Sequence, residues 1–412
     1  MAKLKSILAL SLTALLFSSC ELLGIGGKDK DDPSSGEVAW RIENNQENIV
    51  RTQPAVDKNR TYFLQDGHIK SATLNEGRII WSNKLVNQGG GAFSRKIIQT
   101  SDRIFVDIGF EIHAYDKGDG NLIWNTEVSE TSSEISGLGG PIMSQDEDFI
   151  YAGRRGYVLK VRKEDGQIIR RYPLDRQVPE GVTQGSTDPI ISPFGDNVLY
   201  VPTSYFDHSQ PTPEEASGNN IFAFNSNSGE LIWHSKITVK VPNPYTDIPG
   251  DSLEGAPFVY DIEVTEDKVV ALAGFYIVAL DRMSGETIWK TYFPEGGFDV
   301  GLTVDLEGVY AASIGTFATK VDLETGEKEW MTDIRNSNTS ILTVQNGRLY
   351  FTNSGGGDIW VLDTKDGSVI YNEKSPGHSN DSFDVYISSL GIGEGYMVNV
   401  GSKAVYCLKV PE

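Results

Sequence analysis

One short module, recurring seven times, constrains this chain more than any other feature. It is a polar turn that contains glycine, followed by a short strand ending in an aromatic residue. TLNEGRIIW ends at Trp81, YDKGDGNLIW at Trp124, VRKEDGQIIRRY at Tyr172 and FNSNSGELIW at Trp233. LDRMSGETIW ends at Trp289, VDLETGEKEW at Trp330 and LDTKDGSVIY at Tyr371. The glycines are Gly77, Gly120, Gly166, Gly229, Gly285, Gly326 and Gly367, spaced by 43, 46, 63, 56, 41 and 41 residues. In six of the seven modules an aromatic stands four residues after the glycine; in the third, Arg170 stands there and Tyr172 follows. Such a period marks a chain of supersecondary units that bury their faces against one another.

Each part of the module has a physical reason. Glycine supplies the positive φ that a tight hairpin connection needs. The polar residues before it, such as Asn227-Ser228 or Glu324-Thr325, bond locally to the turn backbone. The terminal aromatic places a large apolar surface at one end of each unit, where it packs against the neighbouring unit. Trp40, Trp81, Trp124, Trp233, Trp289, Trp330 and Tyr371 are therefore the expected blade-packing residues.

Apolar strands upstream of the modules repeat as well, at 61–64, 103–106, 148–152, 198–201, 268–272, 308–312, 348–352 and 396–400. The last is followed by AVYCLKV and then by the chain end, with no glycine-to-Trp strand after it. At the other end, residues 37–40 read as a Trp-terminated strand with no first half. Seven complete units and two complementary halves make eight. The fold expected is all-β, an eight-bladed β-propeller of four-stranded antiparallel blades, its N-terminal strand closing the last blade. Closure matters because an open array of small sheets leaves terminal faces and edges uncovered. Two units are longer than the rest, and their inserts, 204–220 and 239–255, are rich in Pro, Gly, Asp and Ser and read as irregular loops. Tyr205, Phe206 and Tyr245 are their candidate partner-binding aromatics.

The net charge of −21 argues against nucleic acid and anionic lipid as partners. No H-E-x-x-H or C-x-x-C is present, and the histidines, His68, His113, His208, His234 and His378, are well separated. The run from Asp116 to Asn121 lacks the full calcium loop and its closing Glu, and reads as turn capping. No catalytic, cofactor-binding or metal-binding residue is assigned.

The chain starts MAKLKSILALSLTALLFSSC, with Lys3 and Lys5 ahead of an apolar stretch and small residues before Cys20. That is the shape of an export signal, too short for a standard membrane span. The division expected is a signal peptide over 1–19, a lipidated Cys20 with a tether over 20–36, and the propeller over 37–412. Of the two cysteines, Cys407 in its apolar run is the expected buried thiol.

Phe17-Ser18-Ser19-Cys20 resembles a bacterial lipoprotein box, which implies cleavage before Cys20 and acylation there. Units such as ALDRMSGETIW and KVDLETGEKEW resemble the pyrroloquinoline-quinone-type propeller repeat, A-x-D-x-x-T-G-x-x-x-W. The whole chain is most similar to the BamB-type outer-membrane lipoprotein family. That resemblance implies a non-catalytic scaffold, lipid-anchored at the outer membrane, that assists β-barrel assembly by binding an Omp85-type subunit. Whether the ring faces the periplasm or the cell surface stays open. A glycan or small ligand bound by the channel and inserts is a second reading. Quinone-dependent dehydrogenases resemble the repeat too, but they commonly carry adjacent cysteines and calcium ligands, and this chain has no adjacent cysteine pair.

Overall fold

Hairpin follows hairpin along the chain because nearly every apolar run is closed by a turn built on Gly, Asn or Asp. The computed structural model describes residues 37–45, 51–85, 95–128, 143–154, 156–174, 183–186, 189–206, 221–242, 252–255, 259–298, 301–314, 317–334, 340–353, 357–375 and 385–411. Eight antiparallel sheets form an eight-bladed β-propeller. Blade 1 is Ala55–Asp57, Arg60–Gln65, His68–Thr73 and Ile79–Lys84. Blade 2 is Ile98–Gln99, Arg103–Asp107, Glu111–Asp116 and Leu122–Glu127. Blade 3 is Met143–Gln145, Phe149–Arg154, Tyr157–Arg162 and Ile168–Pro173. Blade 4 is Ile190–Ile191, Val198–Phe206, Ile221–Asn225 and Leu231–Ser235. Blade 5 is Val259–Val264, Lys268–Ala273, Tyr276–Asp281 and Thr287–Tyr292. Blade 6 is Leu302–Asp305, Gly308–Ala312, Phe317–Val321 and Lys328–Asp333. Blade 7 is Thr343–Gln345, Arg348–Asn353, Asp358–Asp363 and Val369–Lys374.

Blade 8 joins both ends of the chain. Gly391–Gly393, Tyr396–Val400 and Ala404–Lys409 supply three strands, and Val38–Glu43 is the fourth, with Trp40 directly opposite Cys407. The seam is fastened on both sides. Lys409 donates its backbone N–H to Glu37 and its ammonium lies 2.7 Å from the Glu37 carboxylate. Asn44 donates its side-chain amide to the carbonyls of Gly401 and Ser402, and Gln65 of blade 1 donates to Ile42 and Glu43.

The core is layered between the blades rather than central. Eight apolar clusters each straddle one blade junction, from blades 1–2 around to blades 8–1. Cys407 lies in the last of these, and burial pushes its thiol up to about 12.

The joint between blades is built the same way at almost every junction. An indole N–H from one blade's outer strand donates to the first carbonyl of the next blade's outer turn. Trp40 donates to Leu74, Trp81 to Lys117, Trp124 to Lys163, Trp233 to Arg282, Trp289 to Leu323 and Trp330 to Thr364, at 2.7–3.3 Å. The glycine of that turn rests on the indole face. A Cβ on Gly77, Gly120, Gly166, Gly285, Gly326 or Gly367 would lie within 2.4–2.7 Å of the nearest atom of the adjoining blade's indole or of a side chain beside it. Glycine is thus required twice, for positive φ and for close approach. At the junction of blades 3 and 4 two side chains divide the task. Arg170 covers Gly229 and donates to Asn227, and the Tyr172 hydroxyl donates 2.6 Å to Ser226, the same first carbonyl. Tyr371 is buried in the cluster between blades 7 and 8.

Basic residues at the start of second strands reinforce these joints. Arg60 reaches the carbonyls of Lys117 and Gly118, Arg103 those of Lys163 and Glu164, and Arg348 that of Pro411. Lys268 lies 2.8 Å from the Glu324 carboxylate.

The described ends of the two inserts, 204–206, 239–242 and 252–255, are strands rather than irregular loops. Residues 204–206 continue the second strand of blade 4, because Thr183–Ser186 pairs with that extension, Thr183 opposite Phe206 and Gln184 opposite Tyr205. Val239–Pro242 pairs with Ser252–Gly255 as a separate two-stranded ribbon. In both, segments outside the four-stranded blades pair their backbone, which satisfies groups that a loop would leave to water.

Two glycines separate the demands on the joint. Gly326→Ala meets both the φ of +72° and the Trp289 ring, whereas Gly395→Ala meets a φ of +79° with nothing within 4 Å. Left-handed strain alone costs roughly 1–2 kcal/mol. Gly395→Ala is expected to stay in that range and Gly326→Ala to exceed it by about 1–2 kcal/mol from overpacking, as read by equilibrium urea unfolding. Equal losses would remove the steric half of the account.

Candidate functional site

First strands of successive blades contact one another and line the centre of the ring. Their polar side chains stitch one blade to the next. Gln53 donates to Leu390, Gln99 to Val56 and Gln145 to Gln99, at 2.6–3.2 Å. Ser144 accepts from the Ile191 N–H, and Asp261 from the N–H groups of Gly301 and Leu302 at 3.1 and 3.0 Å. The β-pleat turns successive side chains to opposite faces of the blade, so Gln145 reaches blade 2 and its neighbour Ser144 reaches blade 4.

Glu263 is the exception. It sits on the first strand of blade 5, two residues after Asp261. Burial first, and the Asp261 carboxylate second, push its carboxyl up to about 8, with Lys96 of the blade 2 inner segment pulling the other way. A protonated Glu263 can donate a hydrogen bond at neutral pH, where an ordinary carboxylate only accepts.

A second polar group lies where the second strands of blades 2 and 3 end. Asp107 and Arg154 are fully buried and 2.9 Å apart, and Asp107 also accepts from the Gly109 N–H at 2.8 Å. Burial raises the Asp107 carboxyl, and Arg154 opposes that rise. In blade 2, the buried His113 ring lies 2.7 Å from the Glu111 carboxylate and 2.9 Å from the Tyr115 hydroxyl. Each member is held by another, which suits a structural role. The Asp107–Arg154 pair joins blades 2 and 3, whereas Glu111, His113 and Tyr115 lie on one strand of blade 2. The only sequence signal for the first pair is a charged residue ending an otherwise apolar strand.

The remaining candidates are placed as follows. Tyr205 and Phe206 lie on the blade 4 strand extension. Tyr245, His208, His378 and Cys20 lie outside the described residues. Asp116 caps its own turn, accepting from the N–H groups of Gly118 and Asp119. Among the described residues, no group of three or more His, Cys, Asp or Glu side chains is placed to hold a metal ion. The only cysteine among them, Cys407, is on the third strand of blade 8, away from the central lining. Among the described residues, this donor set does not fit a calcium-bound quinone.

The Glu263 carboxyl gives the molecule a definite pH signature. Between pH 4.5 and about 8 the folded chain holds this proton while the unfolded chain has lost it, so stability falls as pH rises through that window. Glu263→Gln removes the effect. The variant's Tm is expected to match the parent's at pH 4.5 and to exceed it by roughly 2–5 °C at pH 8.5. Superimposed melting curves at both pH values would show that this carboxyl titrates normally.

Solved structures with this fold include the computationally designed Ika8 protein, at TM-score 0.65 and 14% identity over 91% of this chain and 100% of that one. BamB from Moraxella catarrhalis matches at TM-score 0.60 and 13% identity, over 90% of this chain and 97% of that one. The quinohemoprotein alcohol dehydrogenase from Comamonas testosteroni matches at 0.64 and 12%, over 93% of this chain and 78% of that one. Identities this low speak to the fold alone. Comparison with curated protein sequences gives no match. A family model described as outer membrane protein assembly factor BamB matches residues 30–205 and 273–385. With more than half of its length matched, in a propeller of the same kind, the chain belongs to the family of outer membrane protein assembly factor BamB.

Proposed function

We propose that this protein is a non-catalytic scaffold of the bacterial envelope that binds a partner protein during outer-membrane β-barrel assembly. The observation that carries the reading is the commitment of the central polar groups. Gln53, Gln99, Gln145 and Asp261 bond to the backbone of neighbouring blades. The centre is built for closure, and the surfaces left for recognition are the turns and outer edges. Exposed aliphatic side chains on the outer strands, among them Ile79, Leu122, Ile123, Ile169, Leu231 and Ile232, suit protein contact. Membership of the BamB family supports an Omp85-type subunit as the partner.

In this reading residues 1–19 direct export, Cys20 carries the lipid and 20–36 tether the ring to the outer membrane. Several acyl chains hold a protein almost permanently, whereas one holds it marginally. A glycan ligand has no specific support in the geometry of the described residues.

Affinity capture from briefly crosslinked native envelopes tests the role. The parent protein is expected to fractionate with outer membranes and to recover an Omp85-type subunit, and Cys20→Ser to move to the soluble periplasmic fraction. Repeated captures without any outer-membrane assembly component would sink the role. Dye-linked alcohol oxidation after addition of quinone and calcium would replace it with an enzyme.

A further inference from the structure

Blades that repeat one design serve as controls for one another. In an antiparallel meander, the turns between first and second strands and between third and fourth strands fall at the same end of the blade. On that face every hairpin tip of this propeller can be compared with its equivalents. At the middle of the outer turn stand Asn75, Gly118, Glu164, Asn227, Met283, Glu324 and Lys365. At the inner turn stand Lys58-Asn59, Ser101-Asp102, Glu147-Asp148, Pro193-Phe194, Glu266-Asp267, Leu306-Glu307, Asn346-Gly347 and Glu394-Gly395. Large apolar side chains occupy these tips at Phe194, Met283 and Leu306, which belong to the consecutive blades 4, 5 and 6.

All three are exposed to water: Phe194 at 45%, Met283 at 67% and Leu306 at 102%. The turn geometry does not call for them, since Asn, Asp, Glu or Gly serves at the equivalent positions. The turns that carry Phe194 and Met283 adjoin across the joint of blades 4 and 5, for the guanidinium of Arg282 lies 5.0 Å from the Phe194 ring and bonds to Ser192 and Asp196. The surroundings are acidic. Arg282 is paired with Asp196, and Lys268 with Asp267 and Glu324, so the basic groups of these turns are already neutralised. Glu266 and Glu307 stand exposed beside them.

We propose that the tight-turn face of blades 4–6 is the docking surface, and that its occupant is a cationic amphipathic segment of the partner protein. Apolar side chains of that segment cover Phe194, Met283 and Leu306, and its Lys or Arg residues meet the acidic tips. An anionic membrane surface is repelled by the same acidic groups. The proposal rests on the scaffold reading and adds the face and the chemistry of what binds there. It also sets the docking surface apart from the blade 4 strand extension and the adjoining ribbon, which follow the opposite connections.

Full-length protein in its native envelope provides the test. A photoreactive residue is placed at Met283 or Leu306, and at Asn75 or Lys365 as equivalent tips on other blades. Crosslinked peptides are then identified by mass spectrometry. Positions 283 and 306 are expected to crosslink one envelope protein through a peptide that mixes apolar residues with Lys or Arg, and positions 75 and 365 to give none. The triple variant Phe194→Asn, Met283→Asn, Leu306→Asn is expected to lower recovery of that protein by about tenfold or more, with its Tm unchanged. Undiminished recovery by the triple variant overturns the docking face while leaving the scaffold reading intact. Crosslinks from 283 and 306 to lipid, to a second copy of this chain or to an acidic peptide overturn the stated occupant. A parent protein that recovers no partner at all overturns both readings.

Discussion

The contact between an outer-strand indole and the turn of the following blade is the element on which the rest of this structure depends. It combines a directional bond with a close apolar stack. The indole N–H fixes the height of one blade against the next, and the glycine seated on the ring fixes their separation. A ring of eight closes only if each joint turns through nearly the same angle, so a repeated joint is a condition of the fold. The junction of blades 3 and 4 shows that the joint, not the residue, is what must be kept. Arg170 and Tyr172 together reproduce the stack and the bond that one tryptophan supplies elsewhere. Buried apolar layers between blades then provide the bulk of the stabilisation, and the joints decide their registry.

Closure makes this set of joints cooperative. Val38–Glu43 completes a blade whose other strands come from the far end of the chain. Its Trp40 also forms the joint to blade 1, donating 2.7 Å to Leu74. One six-residue strand therefore holds blade 8 and the 8–1 junction together. In a linear repeat array terminal units fray and need caps. Here no blade is terminal, and the surfaces that the eight blades present are held in fixed relation. The central polar groups serve the same end, since Gln53, Gln99, Gln145 and Asp261 join inner strands that carry few residues each.

Much of this was legible in the sequence, for a reason that also explains what was not. The glycine, the polar residues before it and the aromatic after it act within a dozen residues, so periodicity exposes them. The half unit at residues 37–40 was readable as the missing strand because seven complete copies defined what was absent. Pairings between units leave no such trace. Asp107 and Arg154, or Arg103 and the Lys163 carbonyl, are far apart in the chain and meet only when blades stack. The described ends of the inserts differ from expectation for a related reason. Their composition suggests loops, but Thr183–Ser186 supplies a pairing edge that composition cannot reveal. The apolar tips at Phe194, Met283 and Leu306 become conspicuous only once topology puts them on one face.

The joint itself can be measured directly by a double-mutant cycle on Trp330 and Gly367, where an added Cβ would stand 2.6 Å from that indole. Equilibrium unfolding of the two single variants, Trp330→Ala and Gly367→Ala, and of the double variant gives the coupling between them. Trimming the indole removes its share of the clash, while the Thr332 hydroxyl, also 2.6 Å from the added Cβ, keeps the rest. Gly367→Ala should then cost about 1–2 kcal/mol less in the Trp330→Ala background than in the parent. Strictly additive losses would mean that the ring and the glycine do not bear on each other, and the joint described here would not be what holds the blades in register.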